Sequence, residues 1–153
     1  MSSSDRIKSL VSTIRSQGPS LGRFHVVVCG VPSRLATVAR ASLRLASFRP
    51  PPEEAPAVPI PHAVATMPLG DSLELLLYVL PLVPAYAPLW PMTLASAQAV
   101  VRLDQAAARL LDEACAITGQ RPLDAAALVP TFAEDDEESV GELVRAAMES
   151  ALA

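Results

Sequence analysis

Two spacings of hydrophobic residues divide the first third of the chain into a predicted helix, a strand and a second helix. Over residues 3–16 the apolar side chains recur at i, i+3, i+4 and i+7, the spacing of one helix face. They are Ile7, Leu10, Val11 and Ile14. The valine-rich run over residues 24–29 predicts a fully buried strand that ends at Gly30. Helical spacing returns over residues 33–47, and strand, glycine turn and helix together open an α/β unit.

The middle of the chain is rich in proline. Residues 49–61 contain six prolines, a composition that predicts an extended, polyproline-like loop. Three apolar segments follow, over residues 62–67, 73–80 and near 99–103, and each predicts a strand. The proline-containing stretch between the last two is predicted to be a loop with at most a short helix.

The last third again alternates between the two patterns. Residues 104–118 predict a helix with Asp104 as its N-cap and Gly119 as its stop. A last short strand is predicted over residues 123–129, and the acidic residues 134–138 open a final helix. The residues predicted to face inward from that helix are Val140, Leu143, Val144, Ala147 and Met148.

The order of these elements predicts the architecture. Alternating strands and helices indicate an α/β fold, here a three-layer sandwich with a mostly parallel sheet. Residues 1–18 would form an N-terminal amphipathic helix ahead of a single domain of residues 19–153, with 49–61 as its proline-rich loop. That helix would offer either a second contact surface or a cover for an open edge.

Composition and charge exclude several classes of protein. The chain is 51% hydrophobic with a net charge of −4, which excludes a wholly disordered chain. Acidic residues outnumber basic ones by 16 to 12, so no nucleic acid partner is expected. The N-terminus lacks the apolar stretch of a secretory signal, and two cysteines are too few for a disulfide framework. A cytoplasmic protein with reduced thiols is therefore expected.

One run without charged side chains, residues 75–101, has the length of a membrane span. Four prolines fall inside it, between positions 81 and 91. Each proline removes a backbone donor and costs about 3 kcal/mol in a helix interior. No transmembrane segment is therefore predicted.

The residue types that usually carry catalysis are scattered. His25 and His62 have no second histidine or cysteine at ligand spacing, so no metal site is predicted. The chain has no G-x-S-x-G sequence to present a serine nucleophile. Cys29 precedes the glycine turn, where a helix N-terminus would activate a thiol, but burial in the strand is the favoured interpretation.

Two charged segments leave alternatives open. Arg34, Arg40 and Arg44 form either solvated surface or an edge that binds an anion or a partner. The acidic residues 134–138 form either a solvated helix start or a contact for a basic partner.

The segment after the first strand has the frame of a phosphate-binding loop. Residues 30–37 read G-V-P-S-R-L-A-T, against G-x-x-x-x-G-K-[ST] in a Walker A loop. Gly30 fills the first glycine position and Thr37 that of the magnesium-binding hydroxyl. Leu35 and Ala36 stand where the second glycine and the phosphate-binding lysine would be.

A second segment extends the likeness. Residues 77–104 resemble the stretch from the third to the fourth strand of small Ras-like GTPases, especially the bacterial MglA type, in which a Leu-Tyr strand enters a proline-containing D-x-x-G switch. In this frame Val79 occupies the position of Asp, Leu82 that of Gly, and Val83 that of the water-positioning Gln. The chain contains no asparagine, so the guanine-reading N-K-x-D motif is absent from it.

The resemblance implies a reduced P-loop, small-GTPase-like fold without its nucleotide chemistry. Phosphate binding in such a loop needs backbone approach and a lysine charge, and Leu35 and Ala36 supply neither. No cofactor, metal or catalytic residue is expected, and the chain is interpreted as a pseudo-GTPase, a non-catalytic interaction or scaffolding module. The alternatives are a divergent small GTPase that binds and slowly hydrolyses GTP through the backbone amides of residues 31–36, and an unrelated α/β domain.

The resemblance also implies a protein partner, either a Roadblock-type dimer or another small GTPase. The contact surface is predicted in the apolar, proline-containing loop that corresponds to the second switch. Its candidate residues are Leu82, Val83, Tyr86, Leu89 and Trp90. Tyrosine and tryptophan are frequent interface anchors. The alternative is that Trp90 packs beneath the loop against the sheet.

Overall fold

A computed structural model describes residues 22–70 and 72–153, so the helix predicted within residues 1–18 lies outside the described part of the chain. The strands there are β1 (Arg23–Gly30), β2 (His62–Pro68), β3 (Glu74–Pro81), β4 (Ala99–Arg102) and β5 (Leu123–Asp124). The α-helices are α1 (Pro32–Ser42), α2 (Trp90–Ala95), α3 (Ala108–Thr118), α4 (Ala125–Leu128) and α5 (Glu137–Leu152), and a 3₁₀ helix spans Pro84–Leu89.

The five strands form one sheet in the order β2-β3-β1-β4-β5. β1 lies in the middle and runs parallel to β3 and β4, β5 runs parallel to β4, and β2 runs antiparallel to β3 at one edge. Gly30 at the end of β1 pairs with Pro81 at the end of β3. The mostly parallel sheet predicted from the sequence is confirmed.

Alternate residues of β1 point into two separate hydrophobic cores, because successive side chains of a strand face opposite sides of the sheet. Val26 and Val28 join the core that is covered by α1 and α5. Val27 and Cys29 join the core that is covered by α2 and α3. Helices therefore cover both faces of the sheet, as an α/β sandwich requires.

The final helix is built as its apolar spacing predicts. All five residues predicted to face inward from α5 are buried. The helix begins after Asp136, whose side chain accepts a hydrogen bond from the Ser139 backbone N–H. An acidic N-cap satisfies a backbone donor that the helix itself leaves unpaired.

Three element boundaries differ from the prediction. α1 ends at Ser42 rather than near residue 47, and the Ser42 hydroxyl bonds back to the Ala39 carbonyl at its last turn. α3 begins at Ala108, not at Asp104, because the residue before it, Ala107, adopts a left-handed conformation with φ 46°. The predicted strand over residues 123–129 is a two-residue strand followed by the short helix α4.

The proline-rich loop of residues 49–61 is irregular, as predicted. Its first residue is tied to the edge of the sheet, since Arg49 and Thr66 exchange two backbone hydrogen bonds of 2.8 Å. Within residues 22–70 and 72–153 no helix is long and apolar enough to cross a membrane.

Candidate functional site at the carboxyl edge of the sheet

The carboxyl ends of β1, β3 and β4 meet at one edge of the sheet. After β1 the chain builds β2 and β3 on one side, and it then crosses to build β4 and β5 on the other side. Open α/β sheets bind ligands outside the carboxyl ends of their strands, where the strand order reverses in this way. The segment that follows β1 is therefore the first place to look for a site.

A single residue, Val31, joins β1 to α1. The helix starts with Pro32, and the Val31 carbonyl accepts hydrogen bonds of 3.1 Å from the backbone N–H groups of Arg34 and Leu35. The Val31 N–H in turn donates to Oδ2 of Asp104 at 3.1 Å. Residues 32–37 are already helical here, so the segment aligned with a Walker A loop has no wide turn to surround a phosphate.

Gly30 has a packing role at this junction. A Cβ atom placed on Gly30 would lie 3.1 Å from Asp104 Oδ2 and 3.3 Å from the Leu103 side chain. The glycine therefore lets the segment after β4 approach the end of β1 closely. Asp104, which was expected to be a helix N-cap, instead bridges this junction and the backbone N–H of Ala106.

Arg34 closes the junction from the side of α1. Its Nη1 donates to the Leu103 carbonyl at 2.7 Å and lies 3.6 Å from Asp104 Oδ2. Its Nε forms a short ion pair with the carboxylate of Glu134. The charged groups at this edge thus bond to one another across three segments distant in sequence.

The remaining aligned residues, at positions 35–37, differ in their burial and contacts. Leu35 is buried and Ala36 is exposed on α1. The Thr37 hydroxyl, at the aligned position of a magnesium ligand, donates to the Ser33 carbonyl at 3.1 Å one helical turn earlier. A hydroxyl that bonds back to its own helix needs no ligand to be satisfied.

Beside the junction lies a cavity of about 450 Å³, which we call the apolar pocket. It is a pocket open to solvent on one side, with walls formed by α1, by the proline-rich loop, and by β2 and β3. Its lining residues are Pro32, Leu35, Ala36, Ala39, Ala55, Pro56, Ala57, Val58, Pro59, His62, Val64, Val79 and Pro81. Leu35, Ala36 and Val79, the apolar residues at the aligned glycine, lysine and aspartate positions, are thus brought together on one cavity.

The five predicted interaction residues separate into core and surface. Trp90 is 0% exposed and Leu82 is also buried, and both belong to the core beneath α2 and α3. Of the two interpretations of Trp90, its burial agrees with the second, in which it packs beneath the loop against the sheet. Val83 and Tyr86 are half-buried, and Leu89 is 43% exposed.

Arg34 and Arg44 pair with the acidic residues 134–138, whereas Arg40 is exposed and donates to the Thr37 hydroxyl. Arg44, two residues beyond the end of α1, lies 3.3 Å from the carboxylate of Glu137 and also donates to the Asp135 carbonyl. A backbone hydrogen bond and the Arg44 guanidinium hold the pKa of Glu137 below its usual value. Together with Arg34 and Glu134, these contacts make much of the acidic run an intramolecular partner of α1.

The cysteines and histidines do not form a reactive group. Burial raises the pKa of both Cys29 and Cys115, so neither thiol is activated. Burial, and then the charge of Arg23, lower the pKa of His25, whose ring lies 5.2 Å from that of Tyr78. Across residues 22–70 and 72–153, no group of three or more His, Cys, Asp or Glu residues could hold a metal ion.

The sequence did not indicate the bridge formed by Asp104, Arg34 and Glu134. Arg34 and Glu134 are 100 positions apart, and Val31 and Asp104 are 73 positions apart. The only local signal was Gly30, since a glycine directly before a helix also suits close packing of another segment.

Comparisons of the chain with family models, with curated proteins and with solved structures find no match.

Proposed function

We propose that the chain is a non-catalytic protein-interaction or scaffolding module of the small-GTPase type that does not bind nucleotide productively. The observation that carries the proposal is the closed junction between β1 and α1. The Val31 N–H, which a phosphate oxygen would need, already donates to Asp104, and Arg34 already pairs with Asp104 and Glu134. A nucleotide phosphate would have to displace these contacts.

The electrostatics of the edge support the same proposal. Asp104 and Glu134 are carboxylates, and they lie where a polyphosphate would need donors and positive charge. Arg34, the arginine that the described residues place at the junction, is shared between them. Among residues 22–70 and 72–153, a phosphate brought to this edge would meet repulsion from two carboxylates and no lysine, because the only lysine of the chain, Lys8, lies outside these ranges.

Calorimetric titration of the full chain with GTP, GDP and ATP in the presence of Mg²⁺ tests the nucleotide half of the proposal. We expect no saturable heat at nucleotide concentrations up to about 1 mM, which corresponds to a binding free energy weaker than about 4 kcal/mol. Binding in the micromolar range or tighter would instead support the divergent GTPase.

The interaction half of the proposal rests on the layer formed by the 3₁₀ helix, α2 and α3. Its outward side chains include Leu89 at 43% exposure, Met92 at 79% and Ile117 at 78%. Where such side chains form a contiguous apolar patch, they are the kind of surface that partners cover. Leu89 and the half-buried Val83 and Tyr86 are the predicted contact residues that remain accessible.

The partner classes implied by the resemblance are tested directly. Roadblock-type proteins and small GTPases encoded in the same genome would be titrated against the wild-type chain and two variants. Leu89→Asp should weaken binding at least tenfold. Leu43→Asp is the matched control, because Leu43 is similarly exposed, at 41%, but lies at the end of α1 beyond the opposite face of the sheet. Equal binding by all three chains would reject the surface of the 3₁₀ helix, α2 and α3.

A further inference from the structure

We infer that the apolar pocket binds a small aliphatic molecule that carries a single polar end, such as a medium-chain fatty acid or fatty alcohol. The inference stands on the cavity itself and does not depend on the proposed function. It concerns the space beside the β1–α1 junction, not the phosphate position within it.

The residues that line the pocket disfavour a charged ligand. Of the described residues around the pocket, twelve are proline, leucine, alanine or valine, and the thirteenth is His62. No carboxylate, lysine or arginine is among them. Moving an ionised group into such surroundings without a partner is strongly unfavourable, so the occupant must be apolar over most of its length.

The volume of the pocket suits a ligand larger than one amino-acid side chain. The pocket holds about 450 Å³, within the 300–1,000 Å³ typical of small-molecule sites. An engineered cavity of about 150 Å³ already stays dry and takes up benzene, so this one is large enough for a longer hydrocarbon. Leu35, Val64 and Val79 form a buried inner wall, whereas Ala55, Ala57 and Val58 are exposed at the opening.

The wall offers little to bound water. Proline has no backbone donor, and the nearby Ile60 N–H is taken by the Val58 carbonyl at 2.8 Å. Nδ1 of His62 is engaged with the Ile60 carbonyl, also at 2.8 Å. Because a carbonyl can only accept, Nδ1 is the donor in this contact, and the second nitrogen of the neutral His62 ring is left as an acceptor. It suits the hydroxyl or the protonated carboxyl end of an aliphatic ligand.

The prolines of the loop restrict its backbone conformations before a ligand arrives. Pro56 and Pro59 have fixed φ angles, which reduces the conformational entropy that the loop loses on binding. A wall held in its bound shape raises affinity by lowering that cost. This gives the unusual composition of the loop a role that covering the sheet edge alone does not require.

The test is calorimetric titration of the full chain with decanol and with decanoate, each below its micelle concentration. We expect saturable binding with one site per chain. Ala36→Trp, which places an indole in the pocket from an exposed position of α1, should weaken binding at least tenfold. Ala116→Trp is the matched control, because Ala116 is an exposed alanine of α3, on the opposite face of the sheet, and should bind as the wild type does.

Circular dichroism and urea unfolding of both variants establish that each one folds. Weaker binding of decanol by His62→Phe than by the wild type would assign the polar end to His62, and equal binding would assign recognition to the hydrocarbon chain. If neither probe binds saturably, or if the two tryptophan variants lose affinity equally, the inference is overturned. Nucleotide titration has no bearing on this result, so the two proposals fail separately.

Discussion

The backbone N–H of Val31 donates a hydrogen bond of 3.1 Å to Oδ2 of Asp104, across 73 positions of sequence. This contact joins the end of the central strand and the start of α1 to the segment that follows β4. The same carboxylate accepts from the Ala106 N–H at 3.0 Å and lies 3.6 Å from Nη1 of Arg34. Asp104 therefore organises the edge of the sheet at which α/β proteins bind ligands.

Asp104→Ala should destabilise the protein by about 1–3 kcal/mol, because it leaves part-buried donors without an acceptor. Asp104→Asn keeps one carbonyl acceptor and should lose less. Urea unfolding at pH 7 measures both changes.

Asp112→Ala serves as the control for charge. Asp112 pairs with Arg102 at 3.3 Å, but its side chain is 59% exposed, so its removal should change stability by less than about 0.5 kcal/mol. If Asp104→Ala cost no more than Asp112→Ala, the bridge would be an incidental surface contact.

The sequence predicted correctly those elements that have long, regular hydrophobic patterns. The valine run of β1 and the apolar spacing of α5 each extend over several residues, so burial against a core decides the structure. The prediction was wrong where a single side-chain contact, and not a hydrophobic pattern, sets the boundary of an element. Asp104 looked like a helix cap because aspartate favours that position, yet its side chain is used by Val31 and Ala106, and α3 starts four residues later.

The sequence predicted the residue types of the candidate site but not their arrangement in space. The apolar residues at positions 35, 36 and 79 were visible in the sequence, but their meeting on one cavity depends on β3 lying beside β1 and on the path of the proline-rich loop. Trp90 was open to two interpretations because tryptophan serves both cores and interfaces. Its burial follows from the position of α2 against the sheet.

Trp90 should behave as a core residue. Trp90→Ala should cost about 3–5 kcal/mol, the range for removing a large buried aromatic side chain. Trp90→Phe should cost much less, because it keeps an aromatic ring and removes an indole N–H that has no hydrogen-bond partner in the described part of the chain. Chemical unfolding of the two variants gives both values.

Fluorescence offers an independent check, since Trp90 is the only tryptophan. The native protein should emit at short wavelength and resist quenching by iodide, and both properties should be lost in urea. Emission at the wavelength of exposed indole in the native state would contradict the buried position.

Cys29 should make stability fall at high pH. Burial raises the pKa of its thiol in the folded state, whereas the unfolded thiol titrates near pH 8.5. Above that pH the unfolded chain binds fewer protons than the folded one, so the free energy of unfolding decreases. Between pH 7 and 10 the loss due to Cys29 should be about 2 kcal/mol.

Urea unfolding of the wild type and of Cys29→Ala at both pH values isolates this effect, because the tyrosines and other titrating groups are common to the two proteins. The variant is expected to be less stable at pH 7, and the difference should shrink at pH 10. A constant difference would show that Cys29 titrates alike in both states.

Two glycines of the helices should respond in opposite directions to replacement by alanine. Gly141 lies inside α5, and a Cβ there would meet Cδ1 of Leu45 at 3.2 Å. Leu45 borders a cavity of about 250 Å³ and has room to move, so Gly141→Ala should stabilise the protein by about 0.5–1 kcal/mol.

Gly119 ends α3 with φ +74°, and nothing lies within 4 Å of an added Cβ. Gly119→Ala therefore meets no steric contact but forces alanine into the left-handed region, which should cost about 1–2 kcal/mol. Thermal and urea unfolding of the two variants side by side separate helix propensity from backbone conformation. Destabilisation by Gly141→Ala would mean that Leu45 cannot yield, and a neutral Gly119→Ala would mean that the end of α3 rearranges.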